Sequence, residues 1–167
     1  MEFEEGREKF IQAWGTLGSS WGINRTMAQI QALLLISPES MTTESIMEEL
    51  NISRGNANMS LRALMDWGVV FKENRPGERK DYFYAEKDIW KVAVQVTRER
   101  RRRELEPLIR VLGQVESVPQ EDGEEYQEFK KVTEDISKFA DKVDGLFDKL
   151  AKADEHWFVG NFLKLLR

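Results

Sequence analysis

Apolar residues recur along the chain with a period that changes from region to region, and the changes mark the elements. Phe3, Phe10, Trp14, Leu17 and Trp21 are spaced by seven, four, three and four, one stripe of an amphipathic helix. Trp21-Gly22 ends it. A second helix is predicted from Asn24 to Ile36, with Met27, Ile30, Leu33 and Leu34 on one face. Ser37-Pro38 closes it, because the residue before a proline avoids the α region. Thr42 or Thr43 is the N-cap of a short helix ending near Asn51, anchored by Ile46, Leu50 and Ile52. Ser53 caps the next, Arg54 to Trp67, and Gly68 stands where a left-handed residue stops a helix. The few residues between these two helices are helix-turn-helix spacing.

After Gly68 the period shortens. Val69 to Asn74 is rich in strand formers, and Asp81 to Ala85 contains Tyr82, Phe83 and Tyr84. Between them lies Arg75-Pro76-Gly77-Glu78-Arg79-Lys80, with the Pro-Gly pair of a type II turn. Two strands about a basic turn, directly after a helix-turn-helix, predict a winged helix. Asp88 caps a long helix carrying Ile89, Val92, Val96, Leu105, Leu108, Ile109, Leu112 and Val115, which Pro107 should kink. Ser117 to Gly123 is a linker. Phe129, Val132, Ile136, Phe139, Val143, Leu146 and Leu150 then alternate steps of three and four, a heptad seam. It needs either a second copy or the helix over 88–115 to cover it. An apolar tail follows: Trp157, Phe158, Phe162, Leu163, Leu165 and Leu166. The fold class is therefore mainly α with a small β-wing, a winged helix-turn-helix flanked by N- and C-terminal helices.

Charge changes the picture. The 167 residues carry a net charge of −5, which argues against nucleic acid. Divided along the chain, residues 1–40 are at −2, residues 41–103 at +3 and residues 104–167 at −6. A phosphate senses the local field, screened beyond about 8 Å, so the middle alone is the candidate partner of DNA. With no cysteine and only His156, thiol chemistry, thiolate metal sites and most histidine-based acid–base chemistry are excluded. No phosphate-cradling glycine loop is present and no carboxylate pair stands out, so the chain reads as a non-enzyme without cofactor or metal. The glutamate-rich opening does not resemble a signal peptide, and the longest apolar run, Ala32 to Ile36, is far too short to span a bilayer. A cytoplasmic protein is expected, with no membrane partner.

The candidate DNA-reading surface follows from a helical wheel. On helix 54–67, Ala57, Leu61, Leu64 and Met65 form the core face. The opposite face carries Gly55, Asn56, Met59, Arg62, Ala63 and Asp66, flanked by Asn58 and Ser60. Small residues let a backbone approach a groove, asparagine pairs with adenine and arginine with guanine, and a helix N-terminus attracts phosphate. In the wing, Arg75, Arg79 and Lys80 can track a backbone or enter a narrow minor groove.

These pieces carry a resemblance. The segments GSSWGINRTMAQIQALLLISP, ISRGNANMSLRALMDWGVV, GERKDYFYAEKDIW and ERRRRELEP, within Gly18 to Leu112, resemble the GbsR branch of the MarR-type winged-helix transcription regulators. The resemblance implies a homodimeric regulator, read as a repressor, that binds a pseudo-palindromic operator in double-stranded DNA. It places Ser53, Arg54, Asn56, Asn58 and Arg62 on a recognition helix and Arg79 in the wing. The expected organisation is an N-terminal dimerisation helix over 1–23, a DNA-binding winged helix over 24–87, and a helical dimerisation and effector region over 88–167. The other reading is a winged helix that binds protein instead of DNA.

Two features remain. Some regulators of this kind sense choline-type osmolytes, and aromatic cages bind quaternary ammonium ions. Trp14, Trp21 and Trp90 are accordingly candidates for an effector pocket, against ordinary core and interface packing. Arg98 and Arg100 to Arg103 spread round more than half of a helix, either a solvated face balanced by Glu99, Glu104 and Glu106 or a source of phosphate contacts and cross-dimer pairing.

Overall fold

A computed structural model describes residues 1–152. His156 and the apolar tail lie outside them. The chain divides into two units, Met1–Val92 and a second that begins at Ala93.

In the first unit, α1 (Phe3–Ser20) and α2 (Arg25–Ile36) pack together. Asn24 caps α2, its side chain accepting from the Met27 N–H at 3.1 Å. The packed face of α1 is Ile11, Gly15 and Gly18, not the aromatic stripe. A Cβ on Gly18 would stand 2.6 Å from Cβ of Ala28, and one on Gly15 2.6 Å from Cγ of Gln29, so the two backbones approach as only glycine permits. Phe3, Phe10, Leu17 and Trp21 are exposed, Phe3 at 78%.

Beyond α2 comes β1 (Met41–Thr42), a two-residue strand that no period announces. Thr42 then caps α3 (Thr43–Leu50), accepting from the Ser45 N–H at 3.1 Å. Asn51 is left-handed, with φ of 50°, and turns the chain into α4 (Arg54–Asp66). Ser53 caps α4 by accepting from the Asn56 N–H at 3.3 Å. The end of α4 is a Schellman motif: Gly68, at φ of 68°, donates to Met65 O and Val69 donates to Leu64 O. Those two bonds satisfy carbonyls that the helix end would otherwise leave open.

Strands β2 (Val70–Asn74) and β3 (Asp81–Ala85) pair antiparallel, Val70 opposite Ala85 and Asn74 opposite Asp81. β1 adds to the other edge of β3, Met41 opposite Phe83, and the sheet order is β1-β3-β2. The winged helix thus has a three-stranded sheet where two strands were expected. Its core is closed: Ile30, Leu33, Leu34, Ile46, Leu61, Leu64, Val69 and Val70 are fully buried. Lys87 locks the end of α2, its ammonium donating to the carbonyls of Leu34, Leu35 and Ser37 at 2.6, 2.8 and 2.7 Å. Burial lowers the pKa of this ammonium.

Asp88 caps α5 (Ile89–Arg100), accepting from the N–H groups of Trp90 and Lys91. In place of one long helix with a kink at Pro107, the chain then makes a π-helical turn, Arg101–Leu105, before α6 (Glu106–Val115). In a continuous α-helix the Pro107 ring would meet the carbonyl of Arg103. The widened turn falls just before it and leaves Pro107 in the first turn of α6, where a missing N–H costs no bond.

The long α7 (Glu124–Lys152) packs on α6 through a small cluster: Leu105, Leu112 and Ala140 buried, with Ile109, Val143 and Phe147 against them. Of the heptad seam only Val143 belongs to this contact. Phe129, Val132, Ile136, Phe139 and Leu146 are exposed, Phe139 at 68%.

Candidate nucleic-acid interface

The predicted residues lie on two elements of the winged helix, α4 with its Ser53 cap and the loop between β2 and β3. On α4, Gly55, Met59, Arg62 and Asp66 of the face drawn from the wheel are exposed, as is Arg54, while Asn56 and Ala63 are half-buried. Ser60, placed on its flank, is buried. Arg62 makes no ion pair among the described residues. Arg54 pairs with Glu44 of α3, Nη2 to Oε1 at 3.0 Å.

Glu44 has a pKa held below the usual carboxylate range. A hydrogen bond from its own backbone is the largest cause, followed after an opposing desolvation by Arg54 and then by the Lys80 ammonium. Lys80 is therefore close enough for its charge to be felt at the start of α3. Arg79 and Lys80 are both exposed. The loop that carries them turns through Pro76 and Gly77, with Glu78 N–H donating to Arg75 O at 3.1 Å and Gly77 at φ of 84°. That is the type II turn, whose third residue needs a positive φ.

Two predicted site residues are engaged inside the protein. Asn56 is half-buried, and its Nδ2 donates to Oγ1 of Thr26 at 3.1 Å, tying α4 to the first turn of α2. Arg75 donates through Nε to Glu73 at 3.0 Å and through Nη2 to Ser40 Oγ at 2.9 Å, with its guanidinium 4.0 Å from the centre of the Tyr82 ring. The hydrogen bond to Glu73 raises the Arg75 pKa. From β3, Tyr82 Oη donates to Glu78 of the loop, and Lys72 pairs with Asp81 across the strands at 2.9 Å. Ser53 is committed to its cap. Asn58 is half-buried on the flank of α4.

The arginine run is likewise paired within its own unit. Arg101 makes a two-pronged bond to Asp144 at 2.6 and 3.0 Å. Arg102 and Arg103 both converge on Glu99, which is buried, and Arg100 lies 3.7 Å from Glu104. The field at the winged helix is consequently not that of the whole middle segment: residues 41–92 hold eight basic and nine acidic side chains.

Trp14 is half-buried on α1, its indole N–H donating to Gln31 Oε1 at 3.3 Å and its ring 5.6 Å from that of Phe10. Trp21 closes α1 and is 53% exposed, and Trp90 stands in the first turn of α5. A cleft of about 360 Å³ lies elsewhere, lined by Pro38, Phe71, Glu73, Tyr84 and Glu86 among others. Its Phe71 and Tyr84 rings are 5.5 Å apart. Their only sequence signal is their place on the outward face of the strands. Among the described residues no helix is long and apolar enough to cross a membrane, and no acidic or histidine cluster is placed to hold a metal.

No protein-family model matches the chain. It is 31% identical over 88 residues to the HTH-type transcriptional repressor GbsR of Bacillus subtilis (strain 168), a match that takes in 53% of this chain and 48% of that one. The chain thus spans about half the length of the curated relative it matches. A crystal structure of a transcriptional regulator superposes with a TM-score of 0.58 at 19% identity, over 86% of this chain and 99% of that one, and shares its fold. A MarR transcriptional regulator from Methanosarcina mazei Go1 aligns more loosely, with a TM-score of 0.39 at 14% identity over 83% and 94% of the two chains. The resemblance to GbsR read from the sequence motifs holds.

Proposed function

We propose that the protein is a transcriptional regulator, not an enzyme, that binds duplex DNA through α4 and the wing. It acts in the cytoplasm as a repressor and reads a pseudo-palindromic operator as a homodimer. The observation that carries this reading is the exposed set Arg54, Arg62, Arg79 and Lys80, gathered on a winged helix whose α4 presents glycine and arginine on its outer face. Its similarity to the GbsR repressor supports the same reading.

Within that interface Arg62 reads base edges, while Arg54, Arg79 and Lys80 take phosphates. Asn56 and Arg75 hold α4 and the wing in place. The outward aromatic stripe of α1 and the exposed seam of α7 support dimerisation, with the two copies of α4 about 34 Å apart. For the effector we favour a quaternary ammonium ion. The Phe71–Tyr84 pair beside Glu73 and Glu86 offers it an aromatic face and carboxylates, and Trp14, Trp21 and Trp90 form the other candidate pocket.

Titration of fluorescent duplexes by the full chain across a range of salt tests the DNA reading. Affinity should fall steeply as salt rises, because each neutralised phosphate releases counterions. Salt-independent or undetectable binding would leave the winged helix as a protein-docking module. Repeating the titration with choline present tests the effector, which should weaken operator binding.

A further inference from the structure

Glu44 lies among the residues assigned to phosphate. Its carboxylate holds the Arg54 guanidinium at 3.0 Å, and the Lys80 ammonium is near enough to act on it. Arg54 stands in the first turn of α4 and Glu44 in the first turn of α3, so the pair joins two elements of the winged helix. A carboxylate and a phosphate oxygen present the same acceptor to a guanidinium, so they compete for it.

We infer that Glu44 is a specificity-setting residue, an internal stand-in for phosphate that neutralises Arg54 until a duplex is fully seated. The inference rests on the DNA-binding reading above. The pair is well exposed, with more than half of the Arg54 side chain accessible. An exposed ion pair is weak and easily exchanged, so a phosphate brought close by a seated α4 displaces the carboxylate. A loosely held duplex never comes close enough and instead meets a neutral pair with a carboxylate facing the backbone. The near balance of charge over residues 41–92 works in the same direction, since little general attraction remains to hold random sequence. The consequence is discrimination gained by lowering the affinity for everything else.

The test compares the wild type with Glu44→Gln, which keeps size and hydrogen bonding and removes the charge. Glu121→Gln, in the exposed linker, controls for the change in net charge. Each full-length protein is titrated with a mixed-sequence 30-base-pair duplex and with the tightest duplex recovered by selection from a random pool. Glu44→Gln should bind the mixed sequence about tenfold more tightly at low salt, with a slope against log salt steeper by about one. The selected duplex should gain less, so the ratio between the two falls. In an Arg54→Gln background the gain should largely vanish, because the main cation released by the substitution is gone. Equal effects of Glu44→Gln and Glu121→Gln, or a gain that survives in the Arg54→Gln background, would overturn the inference while leaving DNA binding intact. Failure of every protein to bind either duplex would instead remove the DNA-binding reading, and this inference with it.

Discussion

The two units close their cores to different degrees. In the winged helix eight large side chains are fully buried, drawn from α2, α3, α4 and the start of the sheet. Among the described residues from Ala93 onward, the π-helical turn, α6 and α7 share a cluster with three buried apolar residues, of which only Ala140 falls below 2% exposure. Five other positions of the α7 seam, Phe129, Val132, Ile136, Phe139 and Leu146, are exposed. A buried side chain of this size is worth about 1.5–3 kcal/mol, so the first unit has the larger share of the burial among the described residues. Sequence period alone does not separate these cases, because an apolar face promises a partner without saying whether it lies in the same chain. The closed unit also carries the proposed DNA surface on its polar side, whereas the open one presents apolar side chains.

Leu61→Ala tests the closed core and should have the largest effect. Leu61 is 1% exposed on the inner face of α4, and such truncations cost about 2–5 kcal/mol. The urea midpoint should fall sharply, and DNA binding should fall with it because α4 loses its seat. A loss below about 1 kcal/mol would mean that the site collapses without a cavity.

Phe139→Asp tests the open unit. Had the seam been core, this charge would unfold the bundle. With Phe139 exposed, helicity and melting of the subunit should stay close to wild type while the dimer dissociates in sedimentation velocity. Operator affinity should drop about 100-fold, because two linked half-sites become one. A Phe139→Asp dimer of wild-type affinity would remove the α7 seam from the interface.

Arg62→Ala and Asn56→Ala divide reading from support within the first unit. Arg62 is free to meet a base edge, and its loss should cost about 1–3 kcal/mol of discrimination between specific and random duplexes. Asn56 is bonded to Thr26. Its truncation should lower stability by about 1 kcal/mol and weaken both duplexes alike. The reverse pattern would mean that Asn56 leaves Thr26 to read a base.

Much of the first unit was legible because each boundary has a local cause: Asn24, Thr42 and Ser53 at helix starts, Gly68 at an end, Pro76-Gly77 in the turn. What escaped depends on partners distant in sequence. β1 is two residues long and exists because β3 offers an edge to it. The packed face of α1 was hidden because Gly15 and Gly18 carry no hydrophobic signal, so the neighbouring aromatic stripe, of which only Trp14 is half-buried, dominated the pattern. Arg75 looked like a phosphate ligand since neither Ser40 nor the fold over Tyr82 is visible nearby in the chain. In the arginine run only the partner of Arg101, Asp144, was hidden in this way; Glu99 and Glu104, which pair with Arg102, Arg103 and Arg100, are near neighbours in the chain and were named as its balance.

That last pair yields the smallest and most specific effect. The Asp144 carboxyl is held below the ordinary aspartate range, chiefly by the two-pronged bond from Arg101. The Glu99 carboxyl is also lowered; burial opposes this, and the bonds from Arg102 and Arg103 outweigh it. Both groups bind their proton more weakly folded than unfolded, so each contributes stability above the unfolded values of about 3.9 and 4.3. That contribution is lost as pH falls through the lower folded values. The winged helix has its own lowered carboxylate, Glu44, but that side chain is well exposed and its pair with Arg54 is weak. Acid should therefore loosen the arrangement of α6 and α7 before the closed core opens. Asp144→Asn should cost about 1 kcal/mol near neutral pH, and its deficit against wild type should shrink as pH drops below about 4. Hydrogen exchange followed by mass spectrometry at pH 7 and, with rates corrected for the slower chemistry of acid, at pH 3 would locate the loss. If α4 exchanged faster in acid while α6 and α7 did not, the ion pairs of the second unit would be ornamental to its stability, and the contrast between a closed and an open unit would rest on the apolar contacts alone.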